Sequence, residues 1–233
     1  MLTVDLKKIR RNTENIVKLA KKFEITITGV TKASCGDPKI AMAMIKGGAV
    51  SVADSRVENI KNLKKSGIKK ELMLLRTPMI SEIEDVIEYA DVSLQSEFKV
   101  IQKLSETALK HSKKHKIILM VEMGDLREGM NPSEIDEKIS QIQSLQGIKI
   151  QGIGMNLACF GGVAPTNEKI EEFNKVIEKI EEKNNIKFRI VSGGNSANIP
   201  SLIEKTEQGR INNLRIGEGI LLGLETVNRT SIA

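Results

Sequence analysis

Read for its hydrophobic and polar positions, the chain alternates between two periods. Short β-branched or apolar runs recur at ITITGV (25–30), VSVA (50–53), ELMLL (71–75), DVSL (91–94), KIILMVEM (116–123), IKIQGIGM (148–155), FRIVS (188–192) and NLRIG (213–217). Between them lie stretches whose apolar residues return every three or four positions, such as DPKIAMAMIKGG, SRVENIKNLKKSG, ISEIEDVIEYA and NEKIEEFNKVIEKIEEKNN. A helix over about residues 5–22 precedes the first run. The pattern predicts eight strands alternating with helices. Capping residues mark the helix starts, with Asp37 before Pro38 and Ser133 in NPSEIDE.

Strands separated by helices imply a parallel sheet. Eight such units in 233 residues fit a closed (β/α)8 TIM barrel. A doubly wound open sheet is the runner-up. It would place its Gly-rich turn after the first strand, whereas here the Gly-rich turns come late. With no linker and no low-complexity tract, residues 1–233 are expected to form one domain.

A barrel of this kind gathers its chemistry at the C-terminal ends of its strands. The residues expected there are Lys32, Asp54, Arg76, Gln95 and Ser96 from the first four units. The last four add Glu122, Asp125 and Arg127, then Asn156, then Ser192 to Ser196, then Arg215 to Gly219. Lys32 is the odd member, a hydrated cation closing an apolar strand. It is either the point where the strand meets water or a Schiff-base lysine aimed inward and kept partly neutral by burial. The convergent polar set favours the second. VSGGNSANIP and LRIGEG follow strands 7 and 8. Gly193, Gly194, Gly217 and Gly219 would let backbone N–H groups approach an anion there, and Asn195 and Ser196 would add donors. Phosphate opposite an inward lysine leaves two chemistries open, pyridoxal 5'-phosphate (PLP) or a class I aldolase acting on a phosphorylated sugar.

Composition narrows the partners. Aromatics are only 3% of the chain, with no Trp and one Tyr, which argues against a base-stacking nucleic-acid surface. The net charge of +6 sits in helical stretches beside glutamates, as solvated faces do. Cys35 and Cys159 lie far apart without a spacing motif, so neither a disulfide framework nor a zinc site is expected. His111 and His115, in KHSKKHK, have a metal-compatible spacing but lysine neighbours that repel a cation, and an exposed helix end is expected instead. With no apolar run of membrane length and no signal-peptide stretch at MLTVDLKKIRRN, the expectation is a cytoplasmic protein that binds no membrane and no metal.

Five ordered blocks carry a resemblance: VTKASCGDPKIAMAMIKGGAVSVADSRVEN, VEMGDLREGM, GIGMNLACFGG, SGGNSANIPSL and NLRIGEGILLG. Together they resemble the N-terminal barrel of the alanine racemase family, the fold-type III PLP enzymes, and most closely its ornithine racemase-like branch. The resemblance implies PLP as cofactor and a small amino-acid substrate. It implies that Lys32 holds the cofactor and is the base on one substrate face. Arg127 would contact the cofactor's phenolic oxygen and the substrate carboxylate. Arg215 would lie beside the pyridine nitrogen, while Asn195, Ser196 and Gly217 would cradle the phosphate. Asn156 stands where alanine racemases carry a histidine packed on the cofactor ring.

Departures accompany the likeness. KASCGD replaces a longer, tyrosine-containing block, which with Asn156 puts alanine in doubt as substrate. The family's C-terminal β-domain, which supplies the opposite-face tyrosine across a homodimer interface, is expected to be absent, so the chain alone would be a truncated racemase barrel. Tyr89, the one tyrosine, is expected to be packed. Two further functions compete. One is a single-domain PLP-binding homeostasis protein with little catalysis, and the other is a phosphate-binding barrel without PLP.

Overall fold

The computed structural model describes residues 3–158, 162–226 and 229–232. Within them, parallel strands β1 (Thr26–Val30), β2 (Ser51–Asp54), β3 (Glu71–Leu74), β4 (Val92–Gln95), β5 (His115–Met120), β6 (Ile148–Gly154), β7 (Ile190–Ser192) and β8 (Asn213–Ile216) close into a barrel in chain order. Closure comes from β8 pairing with β1, with Thr26 opposite Asn213 and Gly29 opposite Ile216. A closed ring has no exposed edge, and the open-sheet alternative is set aside. Around it run α1 (Leu6–Lys21), α2 (Pro38–Lys46), α3 (Val57–Lys65), α4 (Ile83–Tyr89), α5 (Phe98–Lys110), α6 (Pro132–Ser144), α7 (Asn167–Asn184), α8 (Ile199–Ile203) and α9 (Glu218–Leu222).

Periodicity explains how the layers meet. Ile170, Phe173, Ile177 and Ile180 recur on one face of α7 and are buried, and Ile101, Leu104 and Ala108 do the same on α5. These stripes meet the outward side chains of the strands in a large outer core. Alternate strand residues point the other way, and Val30, Ala53, Met73, Val92, Leu94, Ile118 and Met120 fill the barrel interior. Toward β8 the interior turns polar. Thr28 Oγ1 and Ser51 Oγ lie 2.7 Å apart, and Asn213 Nδ2 donates to Thr28 Oγ1 at 3.0 Å.

Several local expectations change. Asp37 caps α2 by accepting from the Lys39 and Ile40 amides. At α6, however, the helix begins with Pro132 and Asn131 holds the cap position, two residues ahead of the expected Ser133, because the proline's fixed φ suits the first helical residue. His111 closes α5 and pairs with Glu84 at 2.7 Å. His115 is not on a helix end: it opens β5, is buried, and lies 2.8 Å from Ser93 Oγ. Burial pushes its pKa down to about 4. Tyr89 ends α4 and packs against the outer core, with Lys61 4.8 Å above its ring. Cys35 is an exposed free thiol, whereas Cys159 lies outside the described residues. Among the described residues no helix is long and apolar enough to cross a membrane, and no His, Cys, Asp and Glu cluster could hold a metal.

Candidate active site

At the C-terminal ends of the strands lies a cavity of about 290 Å³. Lys32, Arg127, Asn156, Asn195, Ser196, Arg215 and Gly217, the seven residues expected from sequence, all line it. Ser55, Leu75, Arg76, Leu94, Ala158, Glu218 and Thr226 also line it.

Arg215 is the most constrained of these side chains. As the third residue of β8 it points into the barrel and is only 5% exposed. Its guanidinium donates to Ser192 O (3.3 Å), Ser192 Oγ, Met155 O (2.8 Å) and Asn156 Oδ1 (3.4 Å). Each acceptor is neutral, and no hydrogen bond engages Nε among the described residues. Burial pushes its pKa down to about 10, with the charge of Glu128 acting in the opposite direction. It therefore remains a cation at neutral pH.

Loops after β6, β7 and β8 are tied to one another. Asn195 caps a 3₁₀ turn over Ser196–Asn198 by accepting from the Ala197 amide at 2.8 Å. Its Nδ2 donates to Asn156 Oδ1 (3.0 Å) and Leu157 O (2.7 Å), and Ser196 Oγ accepts from the Gly219 amide at 3.1 Å. The expected donors thus serve first as braces between loops. The glycines also differ from expectation. A Cβ on Gly193 would meet Ile211 at 2.3 Å, one on Gly194 would meet Asn198 Oδ1 at 2.3 Å, and one on Gly219 would meet Ile199 at 2.5 Å. Those three serve packing, and Gly217 alone of the four lines the cavity.

The β1 side is built differently. Asp54 does not face the cavity; it is buried and accepts from Thr31 Oγ1 (2.8 Å), Asn59 Nδ2 (2.9 Å) and the Arg56 amide (3.1 Å). This fixes the backbone just before Lys32, which starts a 3₁₀ turn ending at Cys35 in the left-handed region. The Lys32 side chain is exposed, so the burial expected for it is not found: the strand ends at the rim, where the turn lifts the residue clear of the interior. Arg127 is exposed as well. Gln95 turns outward beneath the helices, donating to Ser93 Oγ at 2.8 Å, because the alternation of β4 gives the cavity Leu94 instead. Glu122 is used within its own loop, accepting from the Gly124 and Leu126 amides. Leu75 and Leu94 could have been found by counting inward from the strand ends in twos. Thr226, beyond β8, carries no such signal.

The arrangement is cationic, with Lys32, Arg76, Arg127 and Arg215 facing Glu128 and Glu218. Arg76 is partly engaged by Glu82 (3.3 Å) and Glu218 by Arg229 (2.7 Å). Such a cavity can receive an anion at its β7–β8 end and present an amine at its rim. A profile of the alanine racemase N-terminal domain matches residues 4–224.

The chain belongs to the alanine racemase N-terminal domain family.

Curated relatives in sequence include an ornithine racemase of Acetoanaerobium sticklandii, 40% identical over 97% of this chain. A lysine racemase of Thermotoga maritima is 37% identical over 99%. The chain spans 64% of the length of each. Among solved structures, an alanine racemase of Clostridium difficile in complex with cycloserine superimposes with a TM-score of 0.84 at 23% identity, over 97% of this chain and 62% of the other. PipY of Synechococcus elongatus, solved with PLP bound, superimposes with a TM-score of 0.73 at 16% identity, over 90% of this chain and 99% of the other. At those identities the likeness is one of fold.

Proposed function

We propose that this alanine racemase family barrel holds PLP and serves an amino-acid racemase whose substrate is a basic amino acid of the ornithine type. One observation carries the reading: Lys32, Arg127 and Arg215 line a single cavity together with Asn195, Ser196 and Gly217. The donor set suits the cofactor, with an amine at the rim for its aldehyde, a buried guanidinium for its ring, and a glycine at the β7–β8 end for its phosphate. Names of the relatives add support, since ornithine and lysine racemases match nearly the whole chain.

When bound, PLP supplies the conjugated system that stabilises negative charge at a substrate Cα. Lys32 would hold the cofactor and move the Cα proton on one face. Its exposed side chain leaves it accessible to both ligands, and closure of the mouth by them would strip water from it. Arg127 would orient the substrate carboxylate. Arg215 would keep its proton, because even at a pKa of about 10 it stays charged at neutral pH, and would donate a hydrogen bond to the ring nitrogen without protonating it. Proton removal and return on opposite faces needs a second acid–base group. Tyr89 does not line the cavity, so we assign that group to a further domain or a partner subunit of a homodimer.

The test is to mix the chain with PLP, record the visible spectrum, reduce with borohydride and map the modified peptide by mass spectrometry. Modification confined to Lys32, and lost in Lys32→Ala, is the expected result. Label spread over surface lysines, or none, overturns the cofactor reading. Racemisation of L-ornithine then separates a racemase barrel from the second reading, a PLP-holding protein with little catalysis.

A further inference from the structure

The loop from Glu122 to Met130 has a feature that the roles of Lys32, Arg127 and Arg215 do not use. Consecutive residues of a strand face opposite sides, yet Arg127 and Glu128 both line the cavity. Two left-handed positions bracket the pair, Leu126 (φ +51°) and Gly129 (φ +139°). At Gly129 a Cβ would meet the Glu122 amide at 2.5 Å, so the turn is held tightly against the end of β5. The apolar Leu126 is left 88% exposed by this turn. In this way the backbone brings an arginine and a glutamate to the same cavity from adjacent positions.

The surroundings of Glu128 single it out. Two carboxylates line the cavity among the described residues, and Glu218 is occupied by Arg229 at 2.7 Å. Glu128 is half-buried and makes no hydrogen bond or ion pair with the described residues. Its charge reaches Arg215 only through space. Glu122, in the same loop, is used up by backbone amides. A cavity with an excess of cations therefore keeps one carboxylate available at the wall that carries Arg127.

We propose that Glu128 is the specificity-determining residue of this site, receiving the terminal ammonium of a diamino acid whose carboxylate is oriented by Arg127. This inference rests on the reading of the cavity as a PLP and amino-acid site. The adjacent arginine and glutamate would grip the two ends of a zwitterion that carries one additional positive charge. An uncharged side chain of the same length would leave the Glu128 carboxylate unpaired when the ligand excludes water, which disfavours it.

The test uses the PLP-loaded 233-residue chain and reads binding by the change in the cofactor's visible spectrum, independently of turnover. L-Ornithine is compared with L-norvaline, which has the same carbon chain without the terminal amine, in the wild type and in Glu128→Gln and Glu128→Asp. The wild type is expected to bind L-ornithine about tenfold or more tightly than L-norvaline, the ratio that one charge-assisted hydrogen bond supplies. In Glu128→Gln the ratio should fall to about one. L-Ornithine should bind more weakly there, and L-norvaline, which no longer buries an unpaired carboxylate, more tightly than in the wild type. Glu128→Asp should recover part of the preference. If Glu128→Gln keeps the preference, or if both ligands weaken equally, the assignment to Glu128 is overturned while the cofactor reading stands. Failure of the wild type to develop a cofactor spectrum defeats the cofactor reading itself, and this inference with it.

Discussion

The two walls of the cavity are built on opposite principles. On the β7–β8 wall, Arg215 is buried and held by Ser192, Met155 and Asn156, while Asn195 and Ser196 brace three loops together. On the β1–β5 wall, Lys32 and Arg127 are exposed, and the buried carboxylate nearby, Asp54, holds backbone and Thr31 in place. One wall keeps its donors in place before any ligand arrives, at the cost of desolvating a guanidinium. The other leaves its lysine and arginine in contact with water. On the proposed reading, binding strength would belong to the rigid wall and chemistry to the open one.

Substituting an arginine on each wall gives the sharpest contrast. Arg215→Ala orphans several buried acceptors and is expected to cost about 3 kcal/mol of stability, whereas Arg127→Ala, at an exposed side chain, should cost clearly less. Urea denaturation of both variants checks this. Equal losses would mean that the walls do not differ in rigidity.

Acid probes the back of the rigid wall. Glu181, on α7, is 2% exposed and accepts from Arg210 (2.8 and 3.0 Å), Lys187 (2.7 Å) and the Phe188 amide (2.9 Å). Burial alone would raise its pKa, but these partners prevail and bring it down to about 2. As pH falls the unfolded chain takes up this proton first. The stability Glu181 contributes is therefore complete above about pH 4.5 and lost as the pH falls toward 2, by up to about 2 kcal/mol after allowing for the exposed Lys187. A Glu181→Gln variant should flatten that part of the curve of melting temperature against pH.

A smaller effect is expected at the brace itself. Asn195→Ala removes the cap of the 3₁₀ turn and two bonds to the β6 loop, and should lower stability by about 1 kcal/mol. Thermal unfolding would show it. An unchanged midpoint would mean that the loops hold one another without this residue.

Much of this was legible from residue order. The eight strands follow the runs of β-branched residues, and the cavity contains all seven residues singled out from the motifs. What failed were particular side-chain directions and exposures at the ends of elements. Gln95 turns outward because β4 presents Leu94 to the interior, and His115 is buried because β5 starts one residue earlier than its apolar run. Lys32 reaches the cavity but sits at an exposed rim, since the turn after β1 leaves the barrel at that residue. Gly193, Gly194 and Gly219 resemble a phosphate loop by composition but meet Ile211, Asn198 and Ile199 in space.

Periodicity and turn chemistry determined, from the sequence by itself, that strands and helices alternate, and hence that the strand ends converge. Both are set by local dihedral preferences and by which residues favour burial. Whether a convergent group is sealed or wet, and whether a polar side chain faces a ligand or a neighbouring loop, was decided only by the tertiary structure. Those properties come from contacts between residues distant in the chain, such as Arg215 with Met155 or Asn195 with Leu157. Barrel closure alone brings such pairs together, and their desolvation is a property of the assembled wall.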